Sequence, residues 1–176
     1  AWFRGGLYHD NEKWGVPALW YNSWYDVSIG PNMALYNHAT KTGVDAETRD
    51  NQYAIVGPSV HCAYASLGPN FKSGDRALGD ATLDVNGEVW AFFDRFLKSN
   101  ADAFEAKPKI RYFQMGENAW RTADQWPPKG VEEVKLYLRS GGKANSMFGD
   151  GKLSFSAPAG NEPADTYVYD PKTPVQ

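Results

Sequence analysis

The chain has 176 residues, enough for one ordinary domain or for parts of two, and a core of that size needs no disulfides. Hydrophobic residues make up 42% and aromatic residues 15%, which excludes an intrinsically disordered chain. The 18 basic and 21 acidic residues leave a net charge of -3, so we expect neither nucleic acid nor a membrane as a partner. The single cysteine cannot form an internal disulfide, which leaves the compartment open between cytoplasmic and secreted.

The first half of the sequence combines buried strands with helices. In chain order, the predicted elements are a strand at 16–22, a helix from Ile29 to Gly43 with Pro31 in its first turn, a strand at 52–56 that stops at Gly57-Pro58, and a helix at 82–97. Near-continuous apolar runs are typical of parallel strands that are buried on both faces. The order of strand, helix and strand therefore predicts an α/β fold.

After Lys98 the pattern changes from helical spacing to alternation with period two. Short strands are predicted at 110–115, 134–138, 153–155 and 166–169, with turn sequences rich in Gly and Pro between them. Repeated short strands of this kind indicate a β-sandwich or jelly roll. The sequence thus predicts an α/β part at 1–107 and an all-β part at 108–176.

Two residues with catalytic chemistry follow the predicted parallel strands. Asp26 comes just after the first strand and His61 just after the second, at the sheet edge where α/β proteins gather ligands and catalytic groups. A carboxylate there can hold the imidazole in one tautomer while the other ring nitrogen takes a proton from a nucleophile. The alternative remains open at this point, because an Asp after a strand is often a helix cap and a His after Gly-Pro is often a turn residue.

Five sequence blocks together resemble one family. They are Ser23-Trp24-Tyr25-Asp26, Gly57-Pro58-Ser59-Val60-His61, Ala91-Phe92-Phe93-Asp94-Arg95-Phe96-Leu97, Met115-Gly116-Glu117-Asn118-Ala119-Trp120-Arg121 and Asp165-Thr166-Tyr167-Val168-Tyr169-Asp170-Pro171. In this order they resemble the cocaine esterase and X-Pro dipeptidyl-peptidase family of serine hydrolases. The resemblance implies an α/β-hydrolase domain with an inserted helical cap, followed by a jelly roll.

The resemblance also implies roles for individual residues. Asp26 would be the acid and His61 the base of a Ser-His-Asp triad. Ser28 and Trp24, on either side of the acid, are candidate substrate contacts. Family members usually have Gly and Trp where this chain has Ser23 and Ser59, and we expect these two changes to reshape the pocket wall.

The sequence supplies no nucleophile for this triad, because no Gly-x-Ser-x-Gly-like elbow occurs between Ala1 and Gln176. In the family the nucleophile and an oxyanion-hole tyrosine precede the acid. We therefore expect the chain to be the carboxy-terminal portion of a longer hydrolase, with residues 1–13 as the end of the cap. The remainder of that hydrolase is then a required partner, and the chain alone should be inactive.

The expected substrates are small esters or amides, or short Xaa-Pro peptides, and no cofactor is expected. The three histidines and one cysteine show no metal-ligand spacing, so no metal site is predicted. Cys62 is expected to be a small buried side chain. The alternative function is a non-catalytic, β-rich module that binds carbohydrate or a partner protein.

Overall fold

A computed structural model describes residues 12–104 and 107–173. The chain divides into two compact units between Lys129 and Gly130. In the first unit the elements are β1 (Ala18–Tyr25), α1 (Ile29–Thr42), α2 (Ala46–Asp50), β2 (Gln52–Val60), β3 (Phe71–Ser73), β4 (Arg76–Gly79), α3 (Val85–Leu97), β5 (Ile110–Gln114) and β6 (Ala119–Ala123), with single 3₁₀ turns at Tyr64–Ser66 and Ala101–Phe104. The second unit contains β7 (Tyr137–Arg139) and β8 (Lys152–Ser154).

The first unit is organised by a four-stranded sheet with the order β1-β2-β5-β6. Strands β1 and β5 both run parallel to β2, whereas β6 is antiparallel to β5. The second strand is buried along almost its whole length. Its apolar residues therefore face covering elements on both sides, as the near-continuous apolar run predicts.

Side chains that alternate along the sheet pack into separate clusters. On one face Met33 and Tyr36 of α1 pack against Ala54, Val56 and Ile110. On the other face Tyr53 of β2 packs against α3 and the following turn through Phe92 and Phe104. Two layers of helix thus cover the parallel part of the sheet and place the carboxyl ends of β1 and β2 at one edge.

The two long helices begin and end where local chemistry favours it. Helix α1 has Pro31 in its first turn, and its last residue is followed by Gly43. A Cβ atom at Gly43 would lie 2.8 Å from the Cγ atom of Arg49, so this position has no room for a side chain. Helix α3 is capped by Asp84, whose carboxylate accepts a hydrogen bond from the Gly87 amide at 2.9 Å.

Strand β2 differs from the sequence prediction because it continues through Gly57-Pro58 to Val60. Strand β5 pairs with β2 only at Ala54, Ile55 and Val56. Pro58 lies beyond that ladder, and on the other side the register of β1 with β2 shifts between Ser23 and Tyr25, so Pro58 falls at an irregularity where a ladder can lack a donor.

The chain divides into its compact units between Lys129 and Gly130, whereas the predicted domain boundary between residues 107 and 108 stays a prediction. Strands β5 and β6 belong to the first unit because β5 continues the sheet of β2. The segment 166–169, predicted as a strand, has no regular structure. Residues 1–11, most of the predicted end of a cap, lie outside the described residues.

The second unit has a two-stranded antiparallel ladder in which Tyr137 pairs with Ser154 and Arg139 with Lys152. Carboxylates bind its turns: Asp165 accepts hydrogen bonds from the Ser140 hydroxyl at 2.7 Å and from the Ala144 amide at 2.6 Å. The jelly roll predicted for this part of the chain stays a prediction.

Candidate functional site

Asp26 and His61 are in direct contact. The Nδ1 atom of His61 lies 2.6 Å from Oδ2 of Asp26. The contact forms because Asp26 follows β1 and His61 follows β2, and these parallel strands end at the same edge of the sheet. The prediction that the two side chains meet is therefore confirmed, while their catalytic role stays a prediction.

The pair is asymmetric in its exposure. The Asp26 side chain is 4% exposed, whereas the His61 side chain is 71% exposed. An ionised carboxylate can only accept hydrogen bonds, so Nδ1 of His61 carries the proton. This tautomer leaves Nε2 as the acceptor on an exposed ring.

The second oxygen of Asp26 is also bound. Oδ1 accepts hydrogen bonds from the backbone amide of Ser28 at 2.9 Å and from its hydroxyl at 2.7 Å. These two bonds, with the smaller contribution of His61, lower the pKa of Asp26 to about 2. The carboxylate is therefore ionised throughout the neutral pH range.

His61 lies in a tight turn in which the Ala63 amide donates to the Val60 carbonyl at 3.2 Å. Cys62, the next residue, has a φ of 57°, in the left-handed region that few side chains adopt. Its side chain is exposed, so the prediction of a buried cysteine is wrong. The turn follows β2 directly, and residues 60–62 are exposed.

The two predicted substrate contacts have other partners. The indole of Trp24 donates to the carbonyl of Phe113 at 2.7 Å and packs beside Trp126, with ring centroids 5.8 Å apart. Ser28 binds Asp26. Substrate contact by either residue stays a prediction.

Ser23 and Ser59 form a buried pair that sequence reasoning missed. Their hydroxyl oxygens lie 2.8 Å apart, and both side chains have no exposed surface. The expectation that these two serines reshape the pocket wall stays a prediction. Neighbouring rings of Tyr21 and Tyr64 pack edge to face, with centroids 4.3 Å apart.

The second unit contains a groove of about 550 Å³. Its lining includes Leu138, Arg139, Leu153, Glu162 and Asp165, and no aromatic side chain of the described residues lines it. The charged groups bind each other or nearby turns, as Arg139 does with Glu162. A carbohydrate platform normally needs exposed aromatic rings, so this groove gives the binding-module alternative no particular support.

Across residues 12–104 and 107–173, no group of three or more His, Cys, Asp or Glu side chains is placed to hold a metal ion. In the same ranges no helix is long and apolar enough to cross a membrane.

Comparison with known proteins places the chain among hydrolases. Residues 102–175 match the X-Pro dipeptidyl-peptidase C-terminal non-catalytic domain. Cocaine esterase from Rhodococcus sp. (strain MB1 Bresler) is 36% identical over 179 aligned residues, covering 99% of this chain and 29% of that relative. The crystal structure of an aminopeptidase from the marine sediment archaeon Thaumarchaeota archaeon matches with a TM-score of 0.60 and 25% identity, covering 94% of this chain and 25% of that one.

The matched proteins are esterases and peptidases. The chain spans less than a third of the length of each of these relatives. The chain belongs to the cocaine esterase and X-Pro dipeptidyl-peptidase family and represents its carboxy-terminal portion. The resemblance inferred from the five sequence blocks is thereby confirmed. Asp26 and His61 both lie outside the segment that matches the non-catalytic domain.

Proposed function

We propose that this chain supplies the acid and the base of a Ser-His-Asp triad in a serine hydrolase. The observation that carries the proposal is the 2.6 Å contact between His61 Nδ1 and Asp26 Oδ2 at the carboxyl edge of two parallel strands. In this proposal the first unit is the late part of an α/β-hydrolase domain, and the second belongs to a jelly roll.

Each group has a defined role in the reaction. His61 Nε2 takes the proton of a serine hydroxyl while the serine oxygen attacks the carbonyl carbon of an ester or amide. The imidazolium, stabilised by ionised Asp26, then gives that proton to the leaving alcohol or amine, and an acyl-enzyme remains. Water, deprotonated by the same imidazole, attacks the acyl-enzyme and releases the acid and the free serine.

The nucleophile comes from a segment outside this chain. The three serines next to the pair are occupied: Ser23 and Ser59 are fully buried and bind each other, and Ser28 donates to Asp26. None of them follows a strand on the glycine-flanked elbow that exposes a nucleophile. The 176-residue chain on its own is therefore expected to lack hydrolase activity.

The substrate class follows from the site and the relatives together. The relatives include a cocaine esterase and an aminopeptidase, so both esters and peptide amides are candidate acyl donors. The exposed His61 ring serves either leaving group, because it protonates an alkoxide or an amine by the same transfer.

The test uses the hydrolase that contains this chain together with its nucleophile-bearing segment. Hydrolysis of aryl esters and Xaa-Pro anilides is measured with and without a fluorophosphonate that labels activated serines. His61→Ala and Asp26→Asn should each lower kcat by about 10³- to 10⁴-fold, because triad members act as a unit. Label incorporation should fall in parallel.

His38→Ala is the matched control, since His38 lies on α1 and its Nε2 atom contacts the backbone carbonyl of Glu12 at 3.0 Å. It should retain full activity. Wild-type turnover by His61→Ala would refute the assignment of the base, and efficient turnover by the 176-residue chain alone would refute the external nucleophile.

A further inference from the structure

The hydroxyl of Ser28 is used in an unusual way for a residue that precedes a helix. Ser28 is the N-cap of α1, a position where a serine side chain normally accepts a hydrogen bond from an amide of the first turn. Here the side chain makes no such bond. Its hydroxyl turns back and donates to Oδ1 of Asp26 at 2.7 Å.

The side chain of Asn32 determines the direction of that bond. Asn32 Nδ2 lies 3.2 Å from the Ser28 oxygen, four residues earlier on the same face of the helix. An amide nitrogen can only donate, so the Ser28 oxygen accepts from Asn32 and its own hydrogen is directed to the carboxylate. The hydroxyl therefore cannot rotate without losing one of its two partners.

Asn32 is held in turn by a buried residue of β1. The same Nδ2 atom donates to Oδ1 of Asn22 at 2.9 Å. Asn22 is 3% exposed, and its own amide group contacts the sulfur of Met33 and the carbonyl of Trp20. Asn32 of α1 thus donates both to Asn22 of the sheet and to Ser28, and Ser28 in turn donates to Asp26.

We propose that Ser28, oriented by Asn32 and Asn22, is a positioning residue that fixes the rotation of the Asp26 carboxylate so that Oδ2 faces His61. Two donors from Ser28 bind Oδ1, and this leaves Oδ2 as the oxygen available to the imidazole. The inference rests on the proposed function, because positioning matters only where the pair transfers protons. It differs from a substrate contact, since the hydroxyl points at the acid.

The effect on the carboxylate agrees with this geometry. The amide and the hydroxyl of Ser28 are the two largest causes of the lowered pKa of Asp26, ahead of His61. Removing the hydroxyl while keeping the amide should therefore raise the pKa of Asp26 only part of the way from about 2 toward its ordinary value of 3.8.

The experiment compares Ser28→Ala with Ser28→Thr in the complete hydrolase. Ser28→Ala should lower kcat about tenfold with KM unchanged, because a charge-assisted hydrogen bond that orients the triad is lost. Ser28→Thr keeps the hydroxyl and should stay within about twofold of the wild type. Thr42→Ala is the matched control, since its hydroxyl on the same helix donates only to the His38 carbonyl, at 2.8 Å.

A second measurement is independent of turnover. The Asp26 carboxyl carbon of the complete hydrolase is titrated by ¹³C NMR, and Ser28→Ala should show the partial upward shift of its pKa whereas Thr42→Ala should not. If Ser28→Ala does not fold, Asn32→Ala replaces it in both assays and should give changes in the same directions.

The outcomes separate the two proposals. If His61→Ala abolishes activity but Ser28→Ala changes neither kcat nor the Asp26 titration, positioning by Ser28 is wrong and the triad assignment stands. A rise in KM at constant kcat would make Ser28 a substrate contact instead. Full activity of His61→Ala would refute the proposed function, while the NMR titration would still report whether Ser28 holds the carboxylate.

Discussion

The buried pair of Ser23 and Ser59 can be tested with a double-mutant cycle. Each hydroxyl is fully buried and lies 2.8 Å from the other. Ser23→Ala or Ser59→Ala alone leaves one buried hydroxyl without its partner, which costs about 2 kcal/mol of unfolding free energy. The double substitution removes the stranded group as well, so it should cost no more than about 2 kcal/mol rather than the additive value of about 4.

The assay is urea unfolding of the 176-residue chain and its three variants, with the free energy taken by linear extrapolation. Since the Tyr64 hydroxyl also interacts with Ser23, the cycle is repeated in a Tyr64→Phe background to isolate the serine pair. A coupling energy of at least about 2 kcal/mol in both backgrounds is expected. Additivity within about 0.5 kcal/mol would show that the two hydroxyls do not support each other in solution.

Three further changes examine charge and packing around the sheet. The lowered pKa of Asp26 stabilises the folded chain at pH values above the ordinary pKa of 3.8, and this contribution is lost as the pH falls toward about 2. The urea midpoint of the wild type should therefore fall more steeply over this range than that of Asp26→Asn, and parallel curves would contradict this. Lys107 and Arg111 bind the buried carboxylate of Glu88 at 2.9 and 3.0 Å. Glu88→Ala leaves both cations without this partner and should cost about 2 kcal/mol of unfolding free energy in urea, because both cations retain some access to water. A loss below about 0.5 kcal/mol would show that the pairs do not contribute to stability. Phe113→Ala empties a fully buried site against Trp120 and should cost about 3–5 kcal/mol in the same assay, with Phe113→Leu as the milder control; equal losses for the two variants would exclude a cavity effect.

The apolar runs predict the parallel strands, and the places of Asp26 and His61 just after them predict that the two side chains meet if the strands are neighbours. An apolar run too short for a helix predicts a buried strand, and parallel strands end at the same edge. The exact end of β2 was not predictable, because whether Pro58 interrupts a strand depends on which neighbour pairs with it there.

Assignment of β5 and β6 required the tertiary structure. Alternation with period two predicts a strand but does not say which sheet it joins, and β5 pairs in parallel with β2 across a long connection. For the same reason the alternating segment 166–169 was predicted as a strand although it has no ladder partner in the described residues. The sequence analysis does not predict the hydrogen bond between Ser28 and Asp26. Its one sequence signal is Asn32, which lies four residues after Ser28 on the same helix.

The acid and the base are held by a small set of neighbouring segments. In the described residues the Asp26 carboxylate accepts hydrogen bonds from Ser28 and His61. Ser28 is bound by Asn32 of α1, which also donates to Asn22 of β1. Pairing of β1 with β2 and packing of α1 on that pair are therefore the structural requirements for this half of the triad. Asn32 can only donate through its amide nitrogen, and the ionised Asp26 carboxylate can only accept, so the Ser28 hydroxyl has one orientation that keeps both hydrogen bonds. Asp26 and His61 can therefore be preorganised before a nucleophile is in place.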